Sequence, residues 1–172
     1  FRTKEDIQAC IKKYQTWGSY TPENDEVVIY SGSVYGHTEE FATLLATLLA
    51  KRGVRNTKVY DISSIDVSYL LSEAFRAKVL VFAASSYNGG IFTPMENFLM
   101  DLVAHNFQNR DVFVVENGSW ALTAGKGMRE IIGQLKKVNI AEETISIKSL
   151  LKDAQYADAV AMADKIVEDL KK

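Results

Sequence analysis

The chain has 172 residues, 47% hydrophobic and 24% charged, with a formal net charge of −2. That is the size and make-up of one globular domain, and it argues against a basic nucleic-acid face or a basic membrane-surface helix. The single cysteine, Cys10, rules out an internal disulfide and a cysteine metal cluster and fits a reducing, cytoplasmic setting.

The longest apolar run, 41–50, is too short to cross a bilayer and carries two threonines. No signal peptide is read at the start. The chain opens on Phe1 rather than Met, as a piece of a longer protein would.

Residues 4–17 read as a helix, because Ile7, Cys10, Ile11, Tyr14 and Trp17 fall on one stripe. Cys10, on that stripe, is expected to be a buried small hydrophobe. Gly18 and Pro22 end the helix, and 19–25 reads as a polar linker.

From Val27 strands alternate with helices. Val27–Ser31 is a continuous apolar run, as a strand covered on both faces requires. His37–Arg52 is an amphipathic helix with Glu39 and Glu40 in its first turn and Lys51-Arg52-Gly53 at its end, the polarity that the helix dipole favours. Thr57–Asp61 is a strand, 65–75 a helix, and Val79–Ala84 a third strand followed by a loop over 85–92.

Thr93 then reads as an N-cap, with Pro94 at the first helical position and Glu96 closing a capping box. Val112–Val115 is a strand, and a loop over 116–125 follows it. The next helix is expected to carry Met128, Ile131, Ile132, Leu135 and Val138. Thr144–Ile147 alternates like an edge strand, and Asp153 caps the last helix. Five strands alternating with five helices imply a three-layer α/β fold, a five-stranded parallel sheet with helices on both faces; taken in the 2-1-3-4-5 order, one of the common doubly wound arrangements, its first, third and fourth strands are central neighbours.

The chemistry collects at strand ends. Tyr30-Ser31-Gly32-Ser33-Val34-Tyr35-Gly36-His37-Thr38-Glu39 runs from strand through a hydroxyl-rich turn into a helix. Backbone N–H groups and the helix dipole favour an anion there. The triphosphate-loop Gly-Lys pair and the G-x-G-x-x-G dinucleotide pattern are both absent, so the turn suits one terminal phosphate held by neutral donors. In an open sheet ligands bind beyond the carboxyl ends of the strands, where 31–38 meets 85–92 and 117–125. Each loop is rich in Ser, Thr, Asn or Gly and carries an aromatic: Tyr35, Tyr87 with Phe92, and Trp120. Together they describe a site for a phosphorylated planar ring.

From about Glu26 to Leu170 the chain resembles a flavodoxin. Ser33-Val34-Tyr35-Gly36-His37-Thr38 is similar to the flavodoxin phosphate loop, with Tyr35 in place of the middle Thr and His37 in place of Asn. Tyr35, the run Ser85–Glu96 and the run Glu116–Lys126 resemble the flavodoxin-like domain of flavodiiron proteins, as do 59–61 and 66–69.

The resemblance implies FMN as cofactor and electron transfer as activity. It makes 1–24 the helix and linker trailing an upstream diiron domain, and 25–172 the flavodoxin-like FMN-binding domain. With only His37 and His105, the chain lacks the ligands of a diiron site. The implied partners are a redox protein or that upstream domain, with no nucleic acid and no membrane. The parent family is dimeric, and the isolated domain is free to be monomeric.

The implied cofactor-binding residues are Ser33, Val34, Tyr35, Gly36, His37 and Thr38 at the phosphate; Ser86, Tyr87, Asn88, Gly89, Gly90 and Phe92 near the ring and its N5 edge; and Asn117, Gly118, Ser119 and Trp120, with Trp120 covering one ring face. In flavodoxins a glycine peptide near N5 reorients on reduction, and Gly89-Gly90 has the freedom for it. Glu116 and Glu96, if close, would lower the flavin potential. Asp61 is a strand-end turn residue and His105 a surface residue at a helix end. An independent FMN-dependent NAD(P)H:quinone reductase on the same fold is the alternative. A response-regulator receiver is disfavoured, because the first and third strands end in Tyr30-Ser31 and Ala84-Ser85 rather than in acids.

Overall fold

Residue alternation in the strands is the origin of the two cores. In the computed structural model, which describes residues 3–172, successive side chains of a strand point to opposite sheet faces. Val28, Tyr30, Leu80, Phe82, Val112 and Val114 bury one face; Val27, Ile29, Val79, Val81, Phe113 and Val115 bury the other.

Five parallel strands carry them: β1 (Val27–Gly32), β2 (Thr57–Asp61), β3 (Val79–Tyr87), β5 (Gln108–Asn117) and β6 (Lys136–Ile147). They lie in the order β2-β1-β3-β5-β6, the expected 2-1-3-4-5 arrangement, and a two-residue strand β4 (Gly90–Ile91) pairs antiparallel with the end of β3. α3 (Val67–Arg76), α4 (Thr93–Ala104) and α5 (Ala124–Ile132) cover the first face. α2 (His37–Lys51) and α6 (Asp153–Leu170) cover the second. Tyr30 belongs to the core: its ring stacks on Phe82 at 5.5 Å, its hydroxyl donates to the Leu70 carbonyl at 3.0 Å, and burial raises its pKa well above the ordinary value.

Three local expectations are corrected. The helix expected to reach Val138 ends at Ile132, and 136–147 is strand, because Lys136, Val138 and Ile140 align with Gln108, Arg110 and Val112 of β5. A register shift then moves the partner of Val114 to Thr144, so the alternating pattern becomes readable only after this bulge. The N-cap of α4 is Phe92, whose carbonyl accepts from Met95 N at 2.9 Å and Glu96 N at 3.1 Å; Thr93 is the first helical residue and makes no side-chain cap. α6 is capped by Lys152, whose N–H donates to Gln155 Oε1 at 3.0 Å, and Asp153 sits in its first turn.

The segment before β1 is held at one end only. α1 (Lys4–Gly18) has no buried residue, and Cys10 is exposed, contrary to the expected buried thiol, because the apolar stripe faces outward. Trp17 and Tyr20 meet α3, their rings 5.7 and 6.0 Å from that of Phe75. Arg110, 3% exposed, donates to the Tyr20 and Phe75 carbonyls at 2.6 and 2.7 Å, and burial lowers its pKa to about 10. Nearby, Glu73 is almost fully buried between Lys58 at 2.6 Å and Arg76 at 3.0 Å, with Glu26 beside the same cations. Asp61 forms a turn with Ser63 N at 2.9 Å, and His105 ends α4 at the surface, both as expected.

Burial alone would raise the pKa of Glu73, but the hydrogen bond and charge of Lys58 and the charge of Arg76 outweigh it and hold the carboxyl below its ordinary range. A depressed acid stabilises the fold above its unfolded pKa and loses that contribution as pH falls through the folded one. Glu73→Gln is therefore expected to lower stability at pH 7 and to flatten its decline below about pH 4.5, read from urea midpoints across pH 2.5–7.

Candidate functional site

Parallel strands deliver their loops to a single edge. The loops after β1, β3 and β5 emerge side by side and enclose a groove of about 310 Å³. Ser33, Val34, Tyr35 and His37 line it from the first loop, Ser86, Tyr87 and Asn88 from the second, and Asn117, Gly118 and Ser119 from the third. Ser85 and Ser149 also line it and were not anticipated. Gly36, Thr38, Gly89, Gly90, Phe92 and Trp120 are absent from its wall.

The first loop is a compact anion-type turn. Gly36 takes φ +90°, open to glycine at little cost, and caps α2 without a side chain. The first intrahelical bond runs from Glu40 N to Gly36 O, so the N–H groups of the first turn have no acceptor within the helix. Ser33 Oγ bends over them and accepts from Gly36 N at 2.9 Å and Thr38 N at 3.3 Å. An oxygen therefore already sits where these donors converge. Thr38 is fully buried, with its hydroxyl 3.1 Å from Ser85 Oγ, so it joins the first loop to the second. The His37 ring lies 3.4 Å from Glu40, on the helix surface. Phe92 packs over Gly32, where a Cβ would approach Phe92 Cδ1 to 2.9 Å. It is a strut beneath the loops.

The second loop is a two-residue hairpin rather than an open loop. Tyr87 pairs with Gly90 and Ser86 with Ile91, while Asn88 and Gly89 take φ +49° and +74°. Two consecutive positive φ values and an Asn-Gly sequence are the signature of a type I′ turn. Thr123 Oγ1 donates to the Gly90 carbonyl at 3.0 Å. Gly89 and Gly90 line a neighbouring cavity with Glu96 and Lys126 instead.

The third loop is fastened at both ends. Ser86 Oγ accepts from Thr123 N at 3.0 Å and Ala124 N at 3.1 Å, so a β3 side chain caps α5. Glu116 is buried against the same helix, accepting from Gly125 N at 2.7 Å and Ser146 Oγ at 2.8 Å. Neither Glu116 nor Glu96 lines the groove, so neither carboxylate is positioned at its wall. Asn117 turns its amide to Ser149, and Trp120 stands fully exposed at the tip between the anchors. Tyr35 and Tyr87 are also exposed at the rim. The lining contains no Lys or Arg.

The arrangement can be set beside known proteins. The sheet order, the helix layers and the three loops decide the architecture. This is a flavodoxin-like fold. The chain superposes on a flavodoxin from the domain Archaea with a TM-score of 0.73 at 18% identity, over 86% of this chain and 99% of that one. Against rubredoxin:oxygen oxidoreductase from Desulfovibrio gigas the TM-score is 0.88 at 22% identity, over 99% of this chain and 42% of that one. A histidine-to-alanine variant of the flavodiiron protein of Thermotoga maritima gives 0.80 at 20% identity, over 97% of this chain and 41% of that one. In sequence, 124 residues are 24% identical to an anaerobic nitric oxide reductase flavorubredoxin of Aeromonas hydrophila, covering 71% of this chain and 24% of that protein. No protein-family model matches the sequence. The chain thus spans about a quarter of its curated relative and under half of the longer structural ones.

The Ser86 cap and the Gly118 contact yield a separable pair of effects. Ser86→Ala should cost about 1 kcal/mol in urea unfolding, as loss of a helix cap does, with the groove otherwise intact. Gly118→Ala would bring a Cβ within 2.5 Å of the Ala121 carbonyl. It should displace the third loop, seen as shifted amide resonances over 117–123 with little change elsewhere.

Proposed function

We propose that this chain is an FMN-binding electron-transfer domain. The observation that carries the reading is the convergence of three adjacent loops on one groove, with helix-terminal N–H donors at one end and aromatic rims at Tyr35 and Tyr87. The flavodoxins and flavodiiron proteins that share the fold support FMN over other phosphorylated rings. FMN fits the donor set: neutral hydroxyls and backbone N–H groups meet one phosphate, and Ser33 Oγ already marks a point where an oxygen accepts two of them.

Bound there, FMN supplies the one-electron chemistry, and the chain supplies position and electrostatics. The first turn of α2 would hold the phosphate through Ser33 and the N–H groups of 36–38. The Tyr87–Gly90 hairpin would meet the ring through Tyr87 and Asn88, which line the groove, and Trp120, exposed at the tip of its anchored loop, is the residue proposed to cover one ring face. At about 310 Å³ the groove is at the small end for ligand sites, and a ring edge left outside it would be available to a partner. That partner is a redox protein or a diiron domain of the same parent protein, as in the longer relatives. The cytoplasm is the proposed setting, and no helix among the described residues is long and apolar enough to cross a membrane.

Fluorescence titration tests the reading. FMN is expected to bind at least about tenfold tighter than riboflavin, a difference of roughly 1.4 kcal/mol, and Gly36→Ala should remove most of that preference. A chain that binds neither flavin defeats the proposal. Rapid turnover of NAD(P)H with a quinone would favour the reductase alternative.

A further inference from the structure

The end of the β5–β6 ladder does not fray as strand ends usually do. Its last regular pair is Asn117 with Ile147, and Gly118 N donates to the Ile147 carbonyl at 3.1 Å. Beyond it the Asn117 side chain takes the place of a peptide group. Its Nδ2 donates to the Ser149 carbonyl at 3.1 Å, and its Oδ1 accepts from Ser149 N at 3.1 Å. Both ends of the amide are thus used by one residue, and Asn117 is only 5% exposed. Ser149 meets it by adopting φ +64°, a conformation that residues with a Cβ rarely take. A strained residue held by its surroundings marks a site where geometry matters. Ser149 Oγ then donates to Ser119 Oγ at 3.2 Å, and both hydroxyls border the groove.

We propose that Asn117 and Ser149 are positioning residues that form a latch: a fourth loop, 148–152, holds the third loop, which lines the groove at 117–119 and carries Trp120 at its exposed tip, in place beside the ligand. The proposal rests on the FMN reading for its ligand. The latch pins the loop at its start, and Ser86, through Thr123 N and Ala124 N, pins it at its end. Only 118–122 span the gap, folded back so tightly that Gly118 has no room for a Cβ beside the Ala121 carbonyl. The Asn117 amide commits one N–H and its oxygen to the Ser149 backbone, and the proposed effect on the ligand passes through loop position. Opening the latch should release the ring side of the ligand and leave the phosphate turn at 33–38 unaffected.

A double-mutant cycle separates a latch from two independent ligand contacts. Asn117→Ala removes the latch from one side. Ser149→Pro removes it from the other, because proline has no N–H and cannot adopt φ +64°. Ser149→Gly keeps both backbone partners and accepts the positive φ. The expected result is that Asn117→Ala, Ser149→Pro and the double variant all raise the FMN off-rate by the same factor, about tenfold, with the on-rate within twofold of the parent, and that Ser149→Gly keeps the off-rate within twofold. Equal and independent factors that multiply in the double variant would overturn the latch.

A second readout needs no ligand. Amide exchange at Gly118 and Ser149 in the flavin-free chain should quicken about tenfold in Asn117→Ala, with the β1 and β3 amides unchanged. Unaltered exchange at those two amides would also overturn the proposal. If the parent chain binds no FMN while these amides respond as expected, it is the FMN reading that fails and the latch that stands.

Discussion

Every functional feature here depends on the parallel direction of five strands. Parallel pairing sends all the strands' carboxyl ends to one edge and all the returning helices to the two faces. β1, β3 and β5 are central neighbours, so three loops distant in sequence share one groove. The same arrangement buries β1 completely and excludes polar side chains from its middle. Chemistry is confined to the strand ends, where Ser31, Ser85 and Asn117 stand.

The second constraint is that these loops must hold their shape by cross-links between one another. Ser33 gathers the first-turn donors of α2, and Thr38 reaches Ser85. Ser86 caps a helix that begins 38 residues later in the chain. Thr123 holds the Gly90 carbonyl, and Asn117 holds Ser149. Several residues expected as ligand contacts are also joints of this frame. A preorganised frame lowers the cost of fixing a ligand, because the loops are ordered before it arrives. The aromatics at Tyr35, Tyr87 and Trp120 stand exposed around this frame.

The far end of the sheet follows a different logic. Glu73 is buried there between Lys58 and Arg76, while Arg110, through the Tyr20 carbonyl, and Arg76, through Glu23, clamp the linker after α1 against the body. α1 itself projects with its stripe uncovered. Helix periodicity was legible in the sequence, but periodicity gives only which residues share a face, never what covers that face. Cys10 was misplaced for this reason. Leu135 and Val138 were misplaced for a related one: their spacing continued the α5 stripe, but Leu135 lies in the turn after α5 and pairing with β5 draws Val138 into a strand.

By itself the sequence determined the alternation of strands and helices and the three loops that carry hydroxyls and aromatics. These follow from local periodicity and from turn chemistry, both written in short stretches of chain. What the tertiary structure alone decided is which polar side chains face the groove and which face one another. The Asn117–Ser149 pair, the Ser86 cap and the buried Glu116 each join residues 9 to 38 positions apart. A hydrogen bond forms where a donor and an acceptor meet in space at the right angle. That meeting is set by strand register and sheet twist, which no short stretch of sequence contains.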